Sequence, residues 1–238
     1  MVDRITIGDI SVDVVFKNIK NVHLSVHPPT GTVRVSAPKR VGMETLRVYL
    51  ISKLDWIRRN QKKIQVQERE TPREYLERES HYVWGRRYLL RIVERDQAPS
   101  VEMDHQRLLL TVRPGAGIDK RRDVMDQWYR DQLKKAALPL IAKWEPIMGV
   151  RVARLHVQRM KTKWGSCNHA ARSIRLNTEL AKKPPELLEY IVVHEMAHLM
   201  EPTHNERFTD LMDRFLPNWK HRRDQLNQLP VGHEEWEG

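Results

Sequence analysis

The segment from Val193 to His204 reads VHEMAHLMEPTH and sets three histidines and a glutamate among apolar neighbours. His194 and His198 are four residues apart, so on a helix they differ by about 40° around the axis and about 6 Å along it. That spacing aims two imidazoles at one point, and a metal ion fits the point. Zinc is the natural candidate, because imidazole suits it and because catalytic zinc commonly uses three protein ligands and a water. Manganese is the alternative divalent ion. His204 is the expected third ligand, since it follows Pro202, which ends the helix and lets the chain turn back; Glu201, Glu206 and Asp210 are its substitutes. Glu195 projects about 100° from His194, beside the open coordination position, where a carboxylate can take a proton from water activated by the metal. In a chain with 11 histidines and 31 acidic residues, the His-acid-x-x-His pattern arises by chance about 0.07 times, so it asks for a reason. A closed structural site with Cys167 as fourth ligand is the competing arrangement, and it leaves Glu195 without a role.

These side chains need elements to hold them. Pro184-Pro185 suits a helix start and Pro202 a stop, which predicts a helix from about Pro185 to Glu201. Its apolar residues cover nearly the whole circumference, so it is expected to be buried on most sides. Phe208, Leu211, Met212 and Phe215 share one face of a following helix that would clamp His204 against the first. Upstream, Leu155 to Met160 and Ser173 to Thr178 read as strands flanking the loop Lys161 to Asn168. Lys161 and Lys163, with Arg159, Arg172 and Arg175 nearby in sequence, would bring cations to a substrate oxygen that gains negative charge. Trp164 would stack on substrate or fill the core. The substrate-binding candidates are therefore Lys161, Lys163, Trp164 and Arg175.

Further towards the N-terminus, Met125, Trp128, Leu133, Ala137, Leu140, Ile141 and Trp144 predict a helix that Pro139 should kink or split. The Pro and Gly of Arg113 to Gly117 mark a boundary. Before it, the alternating runs Val22 to Val26 and Thr32 to Ala37 form a hairpin around Pro28-Pro29-Thr30-Gly31. Leu46, Leu50, Leu54 and Ile57 make one helical stripe, and Tyr88 to Val93 and Leu108 to Val112 are further strands. The expected organisation is a β-rich region with one long helix over residues 1–115 and a metal-dependent hydrolase domain over 118–238, α+β in class.

Composition bounds the function. The 238 residues carry a net charge of +11, which favours polyanions, phosphorylated small molecules or acidic protein surfaces as partners. Lys and Arg are scattered among acids, so the charge alone does not select nucleic acid. No apolar run reaches the 18 or so residues of a membrane span, and the N-terminus lacks the apolar core of a signal peptide, which predicts a soluble protein. The single cysteine, Cys167, excludes an intramolecular disulfide and suits the cytoplasm.

The block MKTKWGSCNHAARSIRLNTEL followed by VVHEMAHLMEPTHNERF resembles the YgjP-like metallopeptidase family, a relative of SprT-like and other zincin metallohydrolases. The resemblance extends, less specifically, to PPTGTVRVSAP in the N-terminal hairpin. It implies a zincin core with a mixed sheet and an active-site helix, His194, His198 and His204 as ligands, and Glu195 as base. In zincin peptidases an edge strand pairs with extended substrate, and Ser173 to Thr178 is expected to be that edge. The His194 to His204 spacing equals that of the metzincins, but Glu201 stands where they carry glycine. Three readings compete: a zinc peptidase, a metal-dependent nucleoside triphosphate hydrolase acting on a substrate such as UTP, and a non-enzymatic nucleic-acid-binding zinc protein. Some relatives of the family are assigned to nucleotide hydrolysis, although this chain has no Walker-type loop.

Overall fold

The fold is that of a computed structural model, which describes residues 3–27, 30–66, 73–160 and 163–229. The chain divides into two compact units, residues 1–70 and 71–233. In the first, β1 (Asp3–Ile7), β2 (Ile10–Lys17), β3 (His23–His27) and β4 (Thr32–Pro38) form a sheet in the order β1-β2-β4-β3. The expected hairpin is β3 with β4, antiparallel, while Pro28 and Pro29 of its turn lie outside the described residues. Alternate residues Val12, Val14, Val33 and Val35 are fully buried and pack with Leu46, Leu50 and Ile57. The expected single helix is two, α1 (Met43–Ser52) and α2 (Leu54–Val66). Lys53 stands between them as the cap of α1, its N–H bonding to the carbonyls of Ile51 and Leu50. The apolar stripe survives the break, because burial of leucine and isoleucine on one face outweighs one interrupted turn.

In the second unit β5 (Ser80–Val83), β6 (Arg86–Glu94), β7 (Ser100–Met103) and β8 (Arg107–Val112) form a sheet ordered β5-β6-β8-β7. It shares one core with α3 (Ile118–Met148), with the later strands and with the helices that carry the histidines. The turn at residues 113–117 is thus a change of element type inside one compact unit, since Leu90, Leu108 and Leu110 before it and Met125 and Leu133 after it are buried together. Pro139 does not split α3, which runs uninterrupted to Met148. Buried residues continue at helical spacing through Leu133, Ala137, Ile141 and Trp144, so packing on both sides holds the helix across one missing donor. Gly149 ends it in the left-handed conformation, φ 67°, where a side chain would be strained.

The remaining strands and helices carry the site. β9 (Arg154–Gln158), β10 (Gly165–Asn168) and β11 (Ser173–Asn177) make a mixed sheet in the order β10-β11-β9, with β10 antiparallel and β9 parallel to β11. A 3-10 turn over Thr178–Lys182 leads into α4 (Pro185–Ala197), and α5 (Glu206–Phe215) and α6 (Trp219–Gln228) complete the chain's described elements. The fold is α+β. Among the described residues no helix is long and apolar enough to cross a membrane.

Candidate metal centre

α4 begins with Pro185 at its first turn, as its sequence predicts, and buries Leu187, Leu188, Ile191, Val192, Val193 and Met196. It ends at Ala197, short of the expected Glu201. His198 is the cap, and the chain tightens beyond it: the N–H groups of Leu199 and Met200 bond to the carbonyls of Met196 and Ala197 at 3.0 and 2.9 Å. The His198 Nδ1 lies 3.0 Å from the Glu201 carbonyl, which fixes the ring and turns Nε2 toward the cleft. The Glu201 carboxylate accepts from the Thr203 hydroxyl at 3.0 Å, and Asn205 Nδ2 donates to that hydroxyl at 3.2 Å. Asn205 also caps α5 by accepting from the Phe208 N–H at 3.0 Å. A side-chain chain of three polar residues therefore shapes the turn in which metzincins use glycine.

The turn brings His204 back to the helix. Its Nε2 lies 3.1 Å from that of His194 and 3.2 Å from that of His198. Nitrogens around a tetrahedral zinc, each at ≈ 2.0–2.1 Å, stand about 3.3 Å apart, so the donor set fits that ion. Of the His, Cys, Asp and Glu groups among the described residues, these three converge; Glu201, Glu206, Asp210 and Cys167 do not join them. The closed four-ligand arrangement with Cys167 is therefore not formed, and burial, with the nearby Glu195 charge, pushes its thiol up to about 11. Phe208 packs against all three imidazoles, at centroid distances of 5.0, 4.6 and 4.7 Å from His194, His198 and His204. Of the face expected to form a clamp, Phe208 makes this contact and Met212 is buried with it, while Leu211 and Phe215 are half-buried. Burial, and then the two neighbouring imidazoles, hold the His194 pKa down to about 3; burial also lowers that of His198. Both rings are neutral near pH 7, the form that binds metal.

Glu195 points to another wall. It is 4% exposed and faces β10, where a Cβ added at Gly165 would sit 2.5 Å from its Oε1 and 2.8 Å from its Cγ. The carboxylate thus occupies the space that glycine leaves. Burial pushes its pKa up to about 8, against the pull of Lys163. A cleft of about 530 Å³ opens here, lined by Lys163, Trp164, Gly165, Tyr190, Glu195 and the three histidines among others.

Of the four substrate-binding candidates, Lys163 and Trp164 line the cleft. Lys161 lies outside the described residues. Arg175 is not at the site: it is opposite Ser166 in the register, on the sheet face away from the one shared by Gly165, Cys167, Ile174 and Leu176, and it is exposed. The strand Ser173–Asn177 is also not the edge; β11 is central and β10 is the edge strand beside the cleft. The sequence WGSCN carries no alternation and no β-branched residue, so it reads as a loop, yet Gly165 to Asn168 pair residue for residue with β11. Sequence reasoning misses Gly165 and Tyr190. Tyr190 stands one helical turn before His194 and meets its ring edge-on at 5.8 Å, a relation that the i, i+4 spacing could have revealed. Behind α4, the Glu189 carboxylate accepts from Lys143 at 2.8 Å, Arg222 at 2.9 Å and Trp144 at 3.2 Å, tying the helix to α3 and α6.

The pattern described as "YgjP-like, metallopeptidase domain" matches residues 20–229. No curated protein matches the chain. Solved structures that are similar in part include two metallopeptidase zymogens. The crystal structure of the metallopeptidase zymogen of Pyrococcus abyssi abylysin is 20% identical, the match covering 40% of this chain and 99% of that one, with a TM-score of 0.36. That of the metallopeptidase zymogen of Methanocaldococcus jannaschii jannalysin is 19% identical over 42% and 94%, with a TM-score of 0.31.

Proposed function

The chain belongs to the YgjP-like metallopeptidase family, and from that membership we propose that it is a zinc-dependent peptidase in which Glu195 is the general base. The observation that carries the reading is the convergence of three imidazoles, the His204 Nε2 standing 3.1 and 3.2 Å from those of His194 and His198, beside a buried carboxylate that is not among them. His194, His198 and His204 would hold the ion. Bound there, zinc would supply a Lewis acid that polarises the scissile carbonyl and makes water acidic enough to attack near neutral pH. Three imidazoles suit zinc better than manganese, which prefers oxygen ligands.

Glu195 accepts a proton from the attacking water through the carboxylate held against Gly165. It then delivers that proton to the amine nitrogen as the C–N bond breaks. A buried carboxylate with a raised pKa suits both steps, and a cation at the histidines would draw the value down from about 8. Lys163 places a positive charge near the carbonyl oxygen that becomes negative, and Trp164 offers a ring face to a substrate side chain. The edge of β10 offers backbone groups to an extended peptide.

Nucleotide hydrolysis would draw on the cation cluster expected around the loop; of that cluster Lys163 lines the described cleft and Arg175 does not. A pure binding protein would have no use for Glu195 beside the three imidazoles. The lone free thiol of Cys167 fits the cytoplasm as the compartment. The test compares zinc-loaded wild-type protein with Glu195→Gln on unstructured protein substrates and on a nucleoside triphosphate panel. Peptide cleavage that falls at least about 10³-fold in the variant, with zinc content retained, is expected. Triphosphate turnover lost in the variant, with no cleavage of any peptide, would reject the peptidase reading.

A further inference from the structure

The β5–β8 sheet buries one face against α3, and on the other face Tyr82, Arg87, Leu89, Arg91 and Arg107 are exposed. We propose that this second face binds single-stranded RNA. By register, Tyr82 lies opposite Arg87, Leu89 opposite Arg107, and Arg91 opposite Leu109. Along β6 the same face reads Arg87, Leu89, Arg91, and along β8 it reads Arg107, Leu109. Every arginine therefore has an apolar or aromatic neighbour both along its own strand and across to the next. A face that served only solubility has no need of this checkerboard, which keeps Tyr82 40% and Leu89 39% exposed.

The arginines are also free to bind an anion. Arg87, Arg91 and Arg107 are exposed, and among the described residues no acid lies within ion-pair distance of them. Glu94 lies 3.8 Å from Arg121 and Asp96 3.9 Å from Arg113, while Asp104 accepts from the His105 N–H at 2.6 Å and Glu77 from the Ile92 N–H at 2.8 Å. Arginines interleaved with an exposed ring match a strand of phosphates with unstacked bases, where the cations take the backbone and the aromatic face takes a base. A duplex hides its bases and would use only the charge. Glu102, opposite Leu109, is the acid among these face positions. It repels phosphate but accepts a hydrogen bond from a ribose 2′-hydroxyl, which favours RNA over DNA. This surface belongs to elements other than those of the metal centre, and the proposal does not depend on the peptidase reading.

The experiment measures binding of a labelled oligouridylate to the full chain by fluorescence anisotropy across a series of salt concentrations. The variant Arg87→Gln/Arg91→Gln/Arg107→Gln should weaken binding at least about tenfold and reduce the slope of log K against log salt by about 2. Tyr82→Ala should weaken it about fivefold or more with the slope unchanged. Arg59→Gln/Arg151→Gln/Arg154→Gln removes the same charge from exposed positions elsewhere and should have a much smaller effect. Circular dichroism melts matching the wild type establish that each variant is folded. Equal loss in the two triple variants would overturn the proposal, as would equal affinity for oligodeoxythymidylate or for duplex RNA. Binding to anionic phospholipid vesicles, lost in the first triple variant while RNA is ignored, would overturn it in favour of a membrane surface.

Discussion

The two walls of the cleft are built by opposite means. On the α4–α5 side, side chains are added until each ligand is fixed: Phe208 touches three rings, the Glu201 carbonyl holds His198, and the Thr203–Asn205 contacts set the turn that carries His204. On the β10 side, a side chain is withheld, and Glu195 rests where the Cβ of residue 165 would be. On the proposed function, the contrast teaches that holding a metal and aiming a base would be separable tasks in this molecule. Damage to the first wall should remove the ion, whereas damage to the second should leave the ion and spoil the chemistry.

The largest effect should come from His198→Ala, which takes away one of the three proposed ligands: zinc content by elemental analysis should fall to near zero and activity with it. Full zinc retention would break the comparison at its first term. Phe208→Ala should cost about 3–5 kcal/mol of stability in a denaturant melt and weaken zinc binding without touching a ligand atom. Gly165→Ala should retain zinc and yet lose about 100-fold in kcat, because the base is pushed from its place by an ångström or so; a loss of zinc would merge the two walls into one. Trp164→Ala should be mildest, raising KM about tenfold with kcat little changed.

Acid sharpens the same distinction in metal-free protein. His194 holds a pKa of about 3 when folded and about 6.5 when unfolded, so the unfolded chain binds more protons between these values. The contribution to stability is complete above about pH 6.5 and is lost progressively as the pH falls toward 3. Thermal midpoints of the apo protein should decline across that window and decline less steeply in His194→Ala. A parallel decline in the two proteins would show that His194 protonates freely.

The metal-holding wall is legible in the sequence because its logic is local. The spacing of His194 and His198, the proline start of α4 and the shared face of Phe208 and Met212 all come from one helix at a time. The end of α4 departs from the expected Glu201 since its last turn is set by His198 reaching the Glu201 carbonyl, a contact that propensity does not encode. The other wall depends on partners distant in the chain. GSCN becomes a strand through its pairing with β11, and Arg175 is turned from the site by that register. Gly165 has no periodic signature, and its meaning appears only when Glu195 is laid against it. Pro139 illustrates the same limit, because the buried stripe of α3 continues before and after it, through Leu133, Ala137, Ile141 and Trp144, and overrides the break that its ring suggests.

Phe208 has a further consequence for how the ion arrives. Because one apolar ring is common to all three imidazoles, the ligands are gathered by the same event that closes the core around α5. The ordering entropy of the site is then met during folding and not at the moment of metal capture. If zinc is held there as proposed, its exchange should proceed without rearrangement of the chain.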